Sequence, residues 1–388
     1  METKNLKTDL LCLGARLSVS DANKGVGEGG NTSTSTSTST STSTNTSTST
    51  STSTSRRAGA GPAAGGMFIF GGTVANVPTQ SWFVSASPYC VSSEEGKNVI
   101  KKDGEKVAEV TFPRARFQRL KTKDGVPYSK IALLHGVDCL ATTTVQTCVY
   151  WNTPKRCKFC AIELSLKSGA TVARKEPEQL AEVAVAAKKL DRVTHVTLTS
   201  GTTATPDKGI NLLTETAKAI KEATGLPVHA QFEPPKELSR IDALYDSVDT
   251  VGIHAETFDR AVLKAVAPCK AEIPFQHYLA AWKRSVKIFG ESQVSSYVIA
   301  GLGESDESLV AGCKLLAELG VYPFLVPLRP IPGSLLEREK PPSPSRMRRV
   351  YEQVAEVLRE CGAERVSWRK NKAGCVRCRA CSALPDFE

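Results

Sequence analysis

From residue 139 onward the chain alternates short apolar runs with longer amphipathic ones, and this alternation constrains the fold more than any other feature. The runs "CLATTTVQT", "THVTLTS", "LPVHAQF", "VDTVGIHA", "VSSYVIAG" and "VYPFLVPL" read as strands. Helical stretches follow them: "EPEQLAEVAVAAKKL", "GINLLTETAKAIKEA", "KELSRIDALYD", two runs between residues 257 and 290, "DESLVAGCKLLAELG", and a last helix over 345–361. Strands joined through helices lie parallel, because a crossover returns the chain to the same edge of the sheet. Their Val, Ile and Leu content predicts that both faces are covered, as in a doubly wound sheet or a (β/α) barrel.

Residues 67–138, with "MFIFGG", "KVAEVTF" and "SKIALLHG" broken by turn residues, read as a small β-rich leading region. Residues 31–55 contain only Asn, Ser and Thr. With no apolar group to bury, this tract is expected to be disordered, and it continues into a Gly/Ala linker ending at residue 66. Residues 1–30 carry a short helical segment near 4–17. The apolar runs are strand-sized, far from the ~20 residues that cross a bilayer, so no membrane partner is expected. "METKNLKTDLLCLGARL" lacks the pattern of a secretory signal, which points to a reducing compartment, cytoplasmic or organellar. The net charge of +10 permits a nucleic acid partner, but the basic residues are spread thinly and none is expected. The cluster in "SRMRRVYEQVAEVLRE" reads as a solvated helix face.

Twelve cysteines in a reducing setting argue for ligands, catalysts or buried thiols over disulfides. Cys12, Cys90, Cys139, Cys269, Cys313 and Cys361 are scattered and read as buried, inert thiols. The other six form two groups: Cys148, Cys157 and Cys160 in C-x8-C-x2-C, and Cys375, Cys378 and Cys381 in C-x2-C-x2-C. The first group begins where the first strand of the alternating region ends, the place where parallel α/β folds gather functional groups. Three thiolates suit a [4Fe-4S] cluster with one iron left open. A zinc site needs a fourth ligand, from His135 or a tail cysteine. The tail trio suits a second iron–sulfur cluster, with zinc as the other reading.

A three-cysteine loop after the first strand, ending in Cys-x-aromatic-Cys, resembles the radical S-adenosylmethionine (radical SAM) superfamily. The first gap is wider than the commonest C-x3-C-x2-C spacing, as in the radical subunit of Elongator. The resemblance implies a partial (β/α)6 barrel over 139–340, a [4Fe-4S] cluster on Cys148, Cys157 and Cys160, and S-adenosylmethionine held by strand-end groups. Those groups are Ser200, Gly201 and Thr202 of "TLTSGTT", Glu233 of "QFEPP", and His254, Glu256 and Thr257 of "GIHAETFD", the last segment being similar to that of biotin-synthase-like members. Ile299, Gly301 and Glu304 of "YVIAGLGE" fall near the adenine, and Arg329 of "PLRPIPGS" is placed to pair with a carboxylate. From "GAGPAAGG" and "SPYC" to "GCVRCRACSALP" the chain also looks like a radical SAM family encoded in bacterial nitrilase gene clusters. The implied activity is reductive cleavage of S-adenosylmethionine to a 5'-deoxyadenosyl radical that acts on a small-molecule substrate. The implied partner is an electron donor such as flavodoxin or ferredoxin. An RNA-modifying radical enzyme and a non-enzymatic, zinc-organised interaction protein are the alternatives.

Overall fold

The computed structural model describes residues 2–17, 64–362 and 365–388. The Asn/Ser/Thr tract at 31–55 lies outside the described residues. The central sheet has seven strands in the order β13-β12-β11-β10-β9-β8-β7. Six are parallel: β8 (Cys139–Thr143), β9 (His195–Thr199), β10 (Val228–Gln231), β11 (Thr250–Gly252), β12 (Val294–Ala300) and β13 (Val321–Pro327). The order follows the sequence without a reversal, so the sheet curls into a partial barrel and is not doubly wound.

The covering helices start where local chemistry caps them. Glu176 and Gln179 form a capping box ahead of Pro177–Asp191, and the Ser305 and Ser343 hydroxyls cap Asp306–Glu318 and Pro344–Glu360. Every residue of β13 is buried, as expected of a strand covered on both sides. "KELSRIDALYD" differs from expectation, forming a 3-10 turn over Leu238–Leu244. The other difference is β7 (Leu133–His135), which belongs to the barrel sheet. Gly136 adopts φ 62° in the turn that folds β7 back antiparallel onto β8.

The leading region supplies a hairpin of β2 (Gly65–Phe70) and β3 (Thr73–Pro78). A second sheet holds β1 (Arg16–Leu17), β4 (Tyr89–Glu94), β5 (Lys97–Lys102) and β6 (Glu105–Glu109). The amino-terminal helix, Thr3–Leu13, buries Leu6, Leu10 and Leu11 in the same core as the barrel. Buried Lys7 reaches Asp386 of the carboxyl tail at 2.6 Å. The tail is therefore an integral part of the fold. Ala373 O accepts from Thr250 Oγ1 at the start of β11, and Asn76 N on β3 donates to Ala380 O at 2.7 Å. Among the described residues, no helix is long and apolar enough to cross a membrane.

Candidate functional site

The loop after β8 carries Cys148, Cys157 and Cys160, and the backbone holds it from three sides. Val149 N donates to Thr202 O, Gly201 N to Val145 O, and Lys158 N to Val266 O at 2.7 Å. A Cβ at Gly201 would sit 1.9 Å from Thr147 O, so only glycine lets the β9 loop approach this closely. Cys148 and Cys160 lie within electrostatic reach of each other, as do Cys157 and Cys160. Burial raises the Cys148 thiol against the opposing pull of Tyr150 and Thr202 backbone N–H groups aimed at its sulfur. Burial pushes Cys160 up to about 11 while the Ile162 N–H works in the other direction. Three thiols on one loop, two of them with peptide N–H groups facing the sulfur, are chemically the kind of donors an iron–sulfur cluster takes.

Cys269, expected to be inert, belongs to this group. Its sulfur lies 3.5 Å from that of Cys157, and the contact lowers the Cys269 thiol and raises that of Cys157. The segment that carries it docks on the loop through Cys269 N to Lys155 O at 3.2 Å. No sequence spacing links residues 157 and 269.

Beside the loop, at the carboxyl ends of the strands, lies a cavity of about 310 Å³. Cys160, Ser200, His254, Glu256, Ile299 and Arg329 all line it. His254 is half-buried, its pKa lowered well below the ordinary value by desolvation, and it accepts Tyr297 N–H through Nδ1 at 3.1 Å while the enclosed Nε2 has no partner. Glu256, at φ 64°, pairs with Lys270 Nζ at 2.6 Å. Burial alone would lower Lys270, but the Glu256 carboxylate together with Tyr278 and Cys157 more than offsets it, and the ammonium is held above its ordinary value. Glu233 already faces Lys208 at 3.3 Å and the Tyr150 and Thr202 hydroxyls at 3.4 Å.

The remaining expected residues stand apart from the cavity. Thr257 Oγ1 accepts from Asp259 N at 3.3 Å. The Glu304 carboxylate closes its own loop, accepting from Gly301 N and Leu302 N at 2.8 Å and from Arg346 at 3.0 Å. Arg329, by contrast, lines the cavity and donates to Asn76 Oδ1 at 3.0 Å and to Asn76 O.

Cys375, Cys378 and Cys381 are all buried inside the barrel. Gln231 Nε2 approaches the Cys375 sulfur at 3.2 Å, and the buried Tyr297 hydroxyl, lacking a partner of hydrogen-bond geometry, faces the same thiol. His135 joins this trio, with Nδ1 at 3.2 Å from Cys378 Sγ and Nε2 at 3.6 Å from Cys381 Sγ. Cys139, the second thiol expected to be inert, lies within electrostatic reach of all three while contacting Thr197 Oγ1 at 3.2 Å. Cys381 lines the same cavity as Cys160. Among the described residues, no group of three or more His, Cys, Asp or Glu stands at the spacing of ligands on one metal ion. Two thiolates on one zinc would be about 3.8 Å apart, whereas those on a cluster bind different irons.

Residues 153–316 match the family described as the Radical SAM superfamily. The chain is 30% identical over 139 residues to the bacteriochlorophyllide c C-7(1)-hydroxylase of Chlorobaculum limnaeum, a match covering 34% of this chain and 33% of that protein. In structure it is similar to a radical SAM methyltransferase from Sphaerobacter thermophilus, with 16% identity, a TM-score of 0.45, and coverage of 71% of this chain and 75% of the other. Similarity to methylornithine synthase (PylB) has 18% identity, a TM-score of 0.43, and coverage of 57% and 62%. The match to a Radical SAM domain therefore lies over residues 153–316, which contain Cys157 and Cys160 and make up somewhat less than half of the chain.

Proposed function

We propose that this chain cleaves S-adenosylmethionine reductively at a [4Fe-4S] cluster held by Cys148, Cys157 and Cys160, and uses the resulting radical on a small-molecule substrate. The carrying observation is that one loop after β8 carries all three thiols and that its Cys160 lines a cavity at the carboxyl ends of the barrel strands. When bound, the cluster supplies one electron and an open iron that chelates the amino acid end of S-adenosylmethionine. A low-potential electron donor such as flavodoxin or ferredoxin is the proposed partner.

This chain's own residues orient and shield. Neutral His254 offers its Nε2 as a hydrogen-bond partner at the cavity wall. Lys270 holds the Glu256 carboxylate in a fixed place, where it accepts from a hydroxyl or an amine. Ile299, Val326 and Leu328 supply apolar walls that exclude water from a reactive carbon radical. We also assign Cys375, Cys378 and Cys381 to a second iron–sulfur cluster. Anaerobic reconstitution followed by iron and sulfide analysis tests the reading: iron with matching sulfide supports it, and zinc alone overturns it.

A further inference from the structure

We infer that His135 is the fourth ligand of an iron–sulfur cluster on Cys375, Cys378 and Cys381, and that this second centre opens on the same cavity as the loop cluster. The inference rests on reading the tail thiols as cluster ligands, and it adds a ligand 240 residues and more away in sequence that no spacing motif contains.

Three independent features support it. First, both nitrogens of His135 face tail sulfurs, at 3.2 and 3.6 Å, and the ring is buried. Second, the fold makes room for the sulfurs. A Cβ at Gly136, next to His135, would lie 2.6 Å from Cys378 Sγ, and one at Gly374, next to Cys375, would lie 2.4 Å from the His229 ring. Third, barrel interiors are ordinarily filled by branched aliphatic side chains. Here the tail instead meets Tyr297, Gln231, His229 and Thr250, and its one helix has four residues.

Charge points the same way. Two buried cations, Arg329 and Lys7, stand within electrostatic reach of Cys381, so an anionic cluster at this position meets positive charge. Cys381 and Cys160 line one cavity, so a substrate bound there has a cluster at each end. Imidazole in place of thiolate raises a cluster's potential, which suits the second centre to accepting an electron from a substrate radical.

The test uses full-length protein reconstituted anaerobically with iron and sulfide, in a C157A/C160A background that lacks the loop cluster. The expected result is retention of about half the wild-type iron and sulfide, with nitrogen hyperfine coupling to the reduced tail cluster in pulsed EPR. H135A should lose that coupling. H135C should keep iron, lose the coupling and shift the midpoint potential downward, and its retained cluster separates ligand exchange from misfolding. Coupling that persists in H135A, or is absent from the C157A/C160A parent, overturns the assignment of His135. Zinc in the tail site overturns the cluster. If C157A/C160A removes all iron while C375A/C378A keeps it, the tail site fails and the loop reading stands. If the tail cluster alone forms in wild-type protein, the loop reading fails and this one stands.

Discussion

The sulfurs of Cys157 and Cys269 lie 3.5 Å apart, close enough for one to compete with the cluster for the other. Without iron, a thiol oxidant such as diamide is expected to remove two electrons and two protons from the pair and join them as a disulfide. Apo protein treated this way should take up less iron at the loop until reduced with dithiothreitol, and Cys269→Ser should abolish the sensitivity. Equal uptake by treated and untreated wild-type protein would remove Cys269 from the account.

Gly201→Ala should damage the loop site selectively. The new methyl would stand 1.9 Å from Thr147 O, a backbone atom that cannot swing aside, so the cysteine loop must move. The expected outcome is loss of loop iron and a fall in Tm of several degrees, corresponding to about 1–2 kcal/mol. Wild-type iron content in this variant would show that the loop tolerates displacement.

Lys270→Met should cost about 3 kcal/mol, because it strands the Glu256 carboxylate in a largely buried position. Adding Glu256→Gln should recover much of that loss, since the remaining partner is then neutral. Chemical denaturation of the two single variants and the double variant measures this coupling.

Stability of the cluster-free protein should fall with acid through the buried barrel histidines. Burial, with His195 nearby, depresses His229 from 6.5 to about 3, and burial likewise takes His195 to about 4. A depressed histidine contributes its full stability above pH 6.5 and loses it as pH falls towards the folded value. At pH 5 each histidine accounts for about 2 kcal/mol of lost stability. His229→Gln should flatten the decline in denaturation midpoint between pH 7 and pH 5 by that amount.

The barrel was legible because its signal is local. Runs such as Val321–Leu328 carry their own strand pattern, and Cys157 and Cys160 carry their own ligand spacing. What escaped notice depends on contacts between distant residues. "SKIALLHG" reads as a strand, but nothing within it reveals that β7 turns back at Gly136 to join the barrel. His135 meets Cys378 across 243 positions, and Cys157 meets Cys269 across 112. Glu304 is the converse case: its motif suggests a cofactor contact, while its carboxylate is occupied by Gly301, Leu302 and Arg346. A short motif identifies a loop more readily than it assigns the duty of each side chain.

The central claim is that the Cys148, Cys157 and Cys160 loop is where S-adenosylmethionine is cleaved. The most direct measurement is the yield of 5'-deoxyadenosine and methionine from S-adenosylmethionine and dithionite, using anaerobically reconstituted protein with no other substrate. Wild-type protein should form both products, the C157A and C160A variants should form neither, and C378A should retain cleavage with less iron. Cleavage that survives in C157A and C160A, or that disappears in C378A while the loop cluster is intact, would contradict the assignment.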